Sequence, residues 1–200
     1  MAQPLSHLSH LSHLSHLSLG DFLEWENAQD TRNEFYRGAV FAIGDTRRVH
    51  GLVAGNLSVA LKVNLKGTPC RAFGVSMKVQ VANDAVFYPD VFVTCDPQDL
   101  KTDMVFRSPS LIVEVLSDST QAYDRGLKFT AYRQMASLQE YVLIDPDTRR
   151  VEVYRRNERQ NFELIDQSGH ADLVLDSVGM RLAMAEVFDG VEEPAGTGTG

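Results

Sequence analysis

The chain has little cysteine, no long apolar run and no surplus of positive charge, and each shortage excludes something. Only Cys70 and Cys95 occur in 200 residues, far apart, without a Cys-x-x-Cys pattern or a histidine close enough to complete a zinc site. Both read as small core or strand residues. The most apolar stretch, Ser110–Leu116, is interrupted by Glu114 and falls well short of the roughly 18 residues that a membrane span needs, so no crossing is expected. No basic region precedes an apolar stretch near the start, and Ser and His interrupt every would-be signal core, so the expected location is the cytoplasm. A formal net charge of −8 argues against a broad basic surface that coats nucleic acid; any polyanion site must be local. What is present is ordinary globular material, 44% hydrophobic and 23% charged, enough for one domain with a real core.

Leu5 to Ser18 repeats Ser-His-Leu in threes. In a helix that step falls about 60° short of a turn, so the leucines spiral instead of forming a stripe. Residues 1–17 are therefore read as disordered, with a lesser alternative in which the evenly spaced imidazoles collect a transition metal. Residues 18–190 form the expected domain and residues 191–200, ending in Gly-Thr repeats, a flexible tail.

Within the domain, Ser18 and Asp21 have capping-box spacing for a short helix. Glu34 to Ile43 reads as a hairpin turning at Gly38, and Val49 to Leu65 carries apolar residues at helical spacing and closes near Gly67. Three strands are then expected, over Cys70–Ala82, Val86–Thr94 and Ser110–Leu116. Ser117–Thr120 is a polar turn before a helix from Gln121 to Met135. A buried strand over Tyr141–Ile144, a hairpin from Val151–Arg155 and Phe162–Ile165, and a strand over Arg181–Met184 complete the order. This predicts an α/β fold, a mixed sheet with helices on its faces.

The informative carboxylates are those set in strands whose neighbours must be buried. Asp90 follows Pro89 in a strand-like run, and Glu114 shares a face with Ile112 and Leu116. An anion held there needs a cation: a structural Arg or Lys, or a hard divalent ion. Lys128 lies on the following helix, with Tyr132 one turn later. Two carboxylates on a metal with a lysine beside them match the needs of phosphodiester hydrolysis.

Tyr88-Pro89-Asp90-Val91, Pro109 to Ser117, Asp124, Lys128, Tyr132, and Glu140 to Pro146 appear in order. Together they resemble the Uma-type restriction endonuclease family of the PD-(D/E)xK nuclease superfamily, over about Ser18 to Phe188. Glu34 with Gly38, and His50, also match that family's N-terminal pattern. The resemblance implies a restriction-endonuclease-like core, with Asp90, Glu114 and the Val115 carbonyl as Mg²⁺ ligands and Mn²⁺ as substitute. It also implies Lys128 as the catalytic lysine and Glu34 as an auxiliary acid. The superfamily's basic motif places lysine two residues after the glutamate, where this chain has Leu116; the resemblance implies a lysine on the following helix instead, a place that Lys128 fits.

The expected activity is a Mg²⁺-dependent DNA endonuclease working as a homodimer, since cutting both strands takes two active sites. The acidic total charge keeps two alternatives open: a non-catalytic nuclease-fold binding or assembly module, and a hydrolase of small phosphodiesters. Each carboxylate also has a plainer reading. Asp90 could simply cap a turn, and Glu114 could form an internal ion pair with Arg125 or Lys128. His50 could cap a helix, Tyr132 could be core packing, and the Arg149-Arg150 and Arg155-Arg156 pairs read as solvated surface.

Overall fold

The computed structural model describes residues 17–44, 46–74 and 76–193. The chain begins with α1 (Leu19–Glu26), whose Ser18 cap accepts the Asp21 N–H. The hairpin β1 (Asn33–Tyr36) and β2 (Ala39–Ala42) follows, and Arg37 and Gly38 at its tip have φ of 50° and 86°. Two consecutive positive φ values make the tight turn that matches strand twist. The long helix α2 (Arg48–Asn64) comes next. Then come β3 (Arg71–Gly74), β4 (Lys78–Val81), β5 (Ala85–Phe87), β6 (Val91–Thr94), β7 (Val105–Phe106) and β8 (Pro109–Val115).

A helical segment crosses over from β8. It opens as α3 (Gln121–Tyr123), widens into a π turn (Asp124–Lys128) and closes as α4 (Phe129–Tyr132). After it come β9 (Glu140–Asp145), β10 (Arg150–Arg156), β11 (Phe162–Asp166), β12 (Asp172–Leu175), β13 (Met180–Ala183) and α5 (Met184–Val187).

The main sheet has the order β11-β10-β9-β8-β6-β3, and a second one runs β2-β1-β5-β4-β7. In the main sheet β8 and β9 are parallel and the remaining pairs antiparallel, which is why a helical crossover must join those two. β8 is covered on both faces. Leu111, Val113 and Val115 pack with Val53, Leu57 and Leu61 of α2, while Ile112 and Leu116 pack with Tyr132, Leu138 and Tyr141. Double burial explains a strand that reads as a continuous apolar run. The expected α/β mixed sheet with flanking helices is the fold observed.

Several expectations need correction. The run from Cys70 to Ala82 is two strands in different sheets, β3 pairing with β6 and β4 with β5 and β7. Val86–Thr94 is likewise two strands, parted at Pro89, which has no N–H to give a ladder. The helix expected to reach Met135 ends at Tyr132. Cys70 and Cys95 form a disulfide: they flank β3 and β6 just beyond the Arg71 and Thr94 pair, a cross-strand proximity that sequence distance hides. Arg150 is exposed as expected, whereas Arg155 and Arg156 are structural ties more than free surface. Arg155 bonds the buried Glu140, and Arg156 reaches the carbonyls of Leu138 and Met135. β7, β12 and α5 are short elements that the sequence pattern does not predict.

The Ser-His-Leu repeat up to residue 16 and the tail from residue 194 lie outside the described residues. Leu17 packs with Phe22, Phe35 and Val40, and Val191 is buried against the main core.

Candidate active site

Strand register brings the two carboxylates together. Val91 of β6 pairs with Val113 of β8 in antiparallel fashion, so Asp90 and Glu114, one residue further on, stand across from each other. Pro89 ends β5's path and lets Asp90 turn at the mouth of β6. Asp90 is then fixed at both oxygens: Oδ2 accepts the Val115 N–H at 2.8 Å, and Oδ1 lies 2.7 Å from Nε2 of His50 in the first turn of α2. It is more than a turn cap.

Glu114 projects to the side of the crossover helix, as its alternation with Ile112 predicts. Its Oε1 receives the Lys128 ammonium at 3.1 Å and the Tyr132 hydroxyl at 3.4 Å. The plainer reading of Glu114 as a lysine ion pair is thus also true, and it uses the residues that the catalytic reading needs. Arg125, the other candidate partner, pairs instead with Glu152. Lys128 Nζ further lies 3.0 Å from Oε1 of Glu34 and 3.3 Å from Oδ1 of Asp124. Glu34 comes from β1 and is held by the Tyr88 N–H at 3.0 Å. All four expected side chains, Asp90, Glu114, Lys128 and Glu34, therefore meet in one place. They line a cleft of about 180 Å³ with His50, Val115, Tyr123 and Asp124. A larger hollow, about 790 Å³ between Asp118, Arg125, Arg150 and Asp166, is an open surface feature without such a cluster.

The electrostatics are unbalanced. Glu34, Glu114, Asp124 and Lys128 are all at most 6% exposed, and three carboxylates face one ammonium. Burial pushes Glu114 well above the ordinary carboxylate range, against the pull of Lys128, with the charges of Asp124, Asp90 and Glu34 adding to the rise. Burial likewise raises Glu34 despite Lys128 and the Tyr88 N–H. Burial alone would lower Lys128, but Glu114, Glu34 and Asp124 outweigh it and hold the ammonium well above its usual range. Asp124 Oδ1 meets Nζ as a charge contact at 3.3 Å without the geometry of a hydrogen bond.

Among the described residues, no three His, Cys, Asp or Glu side chains converge as a ready-made metal cage. The donor set nevertheless fits a divalent cation. Three buried carboxylates against a single ammonium leave the site short of positive charge, and both bonds to Glu114 fall on Oε1, so Oε2 takes no part in them. Carboxylate oxygens are the ligands such ions prefer.

Asp124 stands in the sequence motif without being one of the expected site residues. It reaches the cluster because the π turn places it and Lys128, four residues apart, against the same cavity; π turns recur at functional sites. The sequence offers His50 a helix-capping role, and its contact with Asp90 depends on how α2 approaches the sheet.

A family profile described as "Uma2: Putative restriction endonuclease" matches residues 19–185. An uncharacterised protein of Synechocystis sp. is 33% identical over 172 residues, covering 86% of this chain and 90% of that protein. A second uncharacterised Synechocystis protein is 33% identical over 139 residues, covering 68% and 78%. A crystal structure titled as "a putative nuclease belonging to DUF820" from Anabaena variabilis aligns with a TM-score of 0.73 over 88% of this chain and 99% of that one. At 19% identity that likeness concerns the fold.

Proposed function

The chain belongs to the Uma2 family, and from that premise we propose that it is a divalent-cation-dependent nuclease, hydrolysing phosphodiester bonds of DNA. The observation that carries this reading is the pairing of Asp90 and Glu114 across β6 and β8 with Lys128 on Glu114, all in one cleft. Asp90, Glu114 and the Val115 carbonyl would hold the cation, Mg²⁺ or Mn²⁺. When bound, it supplies an acidified water and neutralises charge on the phosphate.

The remaining work falls to the chain. Lys128 donates its N–H groups from a fixed position, where they orient a water or meet charge that develops in the transition state. Glu34 and Asp124 keep that ammonium protonated and aimed. The Val115 N–H and His50 fix Asp90 so that its carboxylate need not reorganise. Cutting both strands of a duplex requires two such clefts, so a homodimer is the working unit in this reading. The net charge of −8 means that the nucleic acid is gripped locally, and binding should fall steeply with salt wherever phosphates are contacted.

The test is cleavage of plasmid DNA with Mg²⁺ or Mn²⁺, alongside calorimetric metal titration. Asp90→Asn and Glu114→Gln are expected to abolish both metal binding and cutting. Lys128→Met should cut about 10²–10³-fold more slowly while keeping its metal affinity. Metal binding without cleavage of any DNA or RNA substrate would overturn the enzyme reading in favour of a binding module.

A further inference from the structure

The outer face of α2 is apolar and open to solvent. Val59 and Val63 are 64% and 70% exposed, the two most exposed large apolar side chains among the described residues. They are four apart, so they share one face of the helix, and the same row runs back through Gly55 and Gly51. Both glycines are exposed, and nothing in the chain comes within 4 Å of an added Cβ at either. Packing within the chain therefore gives no reason for two glycines inside a helix, where they cost stability. Beside the valines lies a groove of about 630 Å³ whose other wall includes Met180, Leu182 and Ala185. None of these residues lines the cleft that holds Asp90 and Glu114.

Charge is distributed along this face with a direction. Asn56 bonds the carbonyls of Val187 and Asp189, and Gly190 lies against Leu52, so Asp189 stands beside the first half of α2. Glu186 joins it on the rim of the groove, whereas Lys62 is in the last turn of the helix. All three charged side chains belong to exposed residues.

We infer that this face pairs with the same face of a second copy, α2 against α2 in antiparallel, about a two-fold axis between Gly55 and Val59. That axis lays Val59 of each copy over Gly55 of the other, and Val63 over Gly51, so that ridges enter hollows. It also brings Lys62 of each copy toward Asp189 and Glu186 of the other. The two halves of the face are thus opposite in shape and in charge, which is what an isologous contact between identical chains requires. The inference supplies a surface for the dimer that the nuclease reading calls for. Its test needs neither metal nor DNA, so the two can fail separately.

The test is sedimentation analysis of the intact protein without divalent ions. The wild type should run as a dimer, at twice the 22.3 kDa of one chain, at about 50 µM. Gly55→Leu adds bulk where the chain itself leaves open space, and Val63→Glu removes a ridge. Each should weaken dimerisation at least about tenfold with an unchanged circular dichroism spectrum. Lys62→Glu and Asp189→Lys should each weaken it about threefold or more, and the two together should restore it. A wild type that is monomeric at this concentration overturns the pairing and leaves the face to a different partner. A dimer that survives Gly55→Leu and Val63→Glu is built on another face and overturns it too. Failure of the double charge reversal to rescue its two single variants overturns the antiparallel arrangement.

Discussion

Glu114 is the residue at which function and stability pull apart. Its carboxyl is held well above its ordinary value of 4.5, chiefly by burial, so the folded protein binds that proton more tightly than the unfolded chain does. Stability must then fall as pH rises above about 4.5, because ionisation becomes cheaper in the unfolded state. Lys128 has the other sign: its raised value contributes stability that is full below 10.5 and is lost only as pH climbs past that, so it stays constant from pH 4 to 8. Glu114→Gln removes the titration while leaving Lys128 with Glu34 and Asp124. Without divalent ions, the stability of Glu114→Gln relative to wild type should therefore grow from pH 4 to pH 8 in urea denaturation. Parallel pH profiles for the two proteins would show that burial of Glu114 carries no such penalty. Activity should meanwhile be abolished, as expected where a destabilised group is kept for its chemistry.

At the scale of elements, two glycines test whether backbone conformation or space decides a substitution. Gly38 has a φ of 86° at the tip of the hairpin that carries Glu34, and an added Cβ would find nothing closer than the Leu17 carbonyl at 3.9 Å. The cost of Gly38→Ala is thus conformational, about 1 kcal/mol or more. Gly126 in the π turn has no positive φ and nothing within 4 Å of an added Cβ. Gly126→Ala should stabilise by about 0.4–1 kcal/mol through the unfolded chain. Opposite signs in urea midpoints are expected, and a stabilising Gly38→Ala would contradict the turn geometry. The hairpin was legible because its turn chemistry is local. Asp90, Glu114 and Lys128 were legible because charges inside apolar runs stand out. The break at Pro89 was missed because β5 and β6, buried on both faces, show no alternation to interrupt, and the one after Gly74 because the alternation of Val75, Met77, Val79 and Val81 reads as part of one strand from Cys70. The π turn was missed because it changes hydrogen bonding within a helix more than it changes apolar spacing. Asp124's role depends on that turn, and His50's on the packing of α2 against the sheet.

For the molecule as a whole, the main sheet is held from its middle outward. β8 and β9 are covered on both faces, whereas β3 lies at the edge and is at best half-buried. The Cys70–Cys95 disulfide pins that edge to β6 and closes a loop with a sequence separation of 25. In the chain-entropy account a loop of this size contributes about 3 kcal/mol by restricting the unfolded chain. The bond joins β3 and β6 beyond Thr94, while Asp90 stands before Val91 at the opposite end of β6, where β8 and His50 fix it. Stability and metal binding should therefore respond differently to its loss. Reduction with dithiothreitol, or the double substitution Cys70→Ala with Cys95→Ala, is expected to lower unfolding free energy by up to about 3 kcal/mol. Mn²⁺ affinity, measured calorimetrically under native conditions, should change by less than about threefold, because Asp90, though inside the closed loop, is fixed at the far end of β6 by the Val115 N–H and His50. A large loss of affinity on reduction would mean that the edge strand sets the position of Asp90, and that the sheet passes strain along β6 from the disulfide to the cleft.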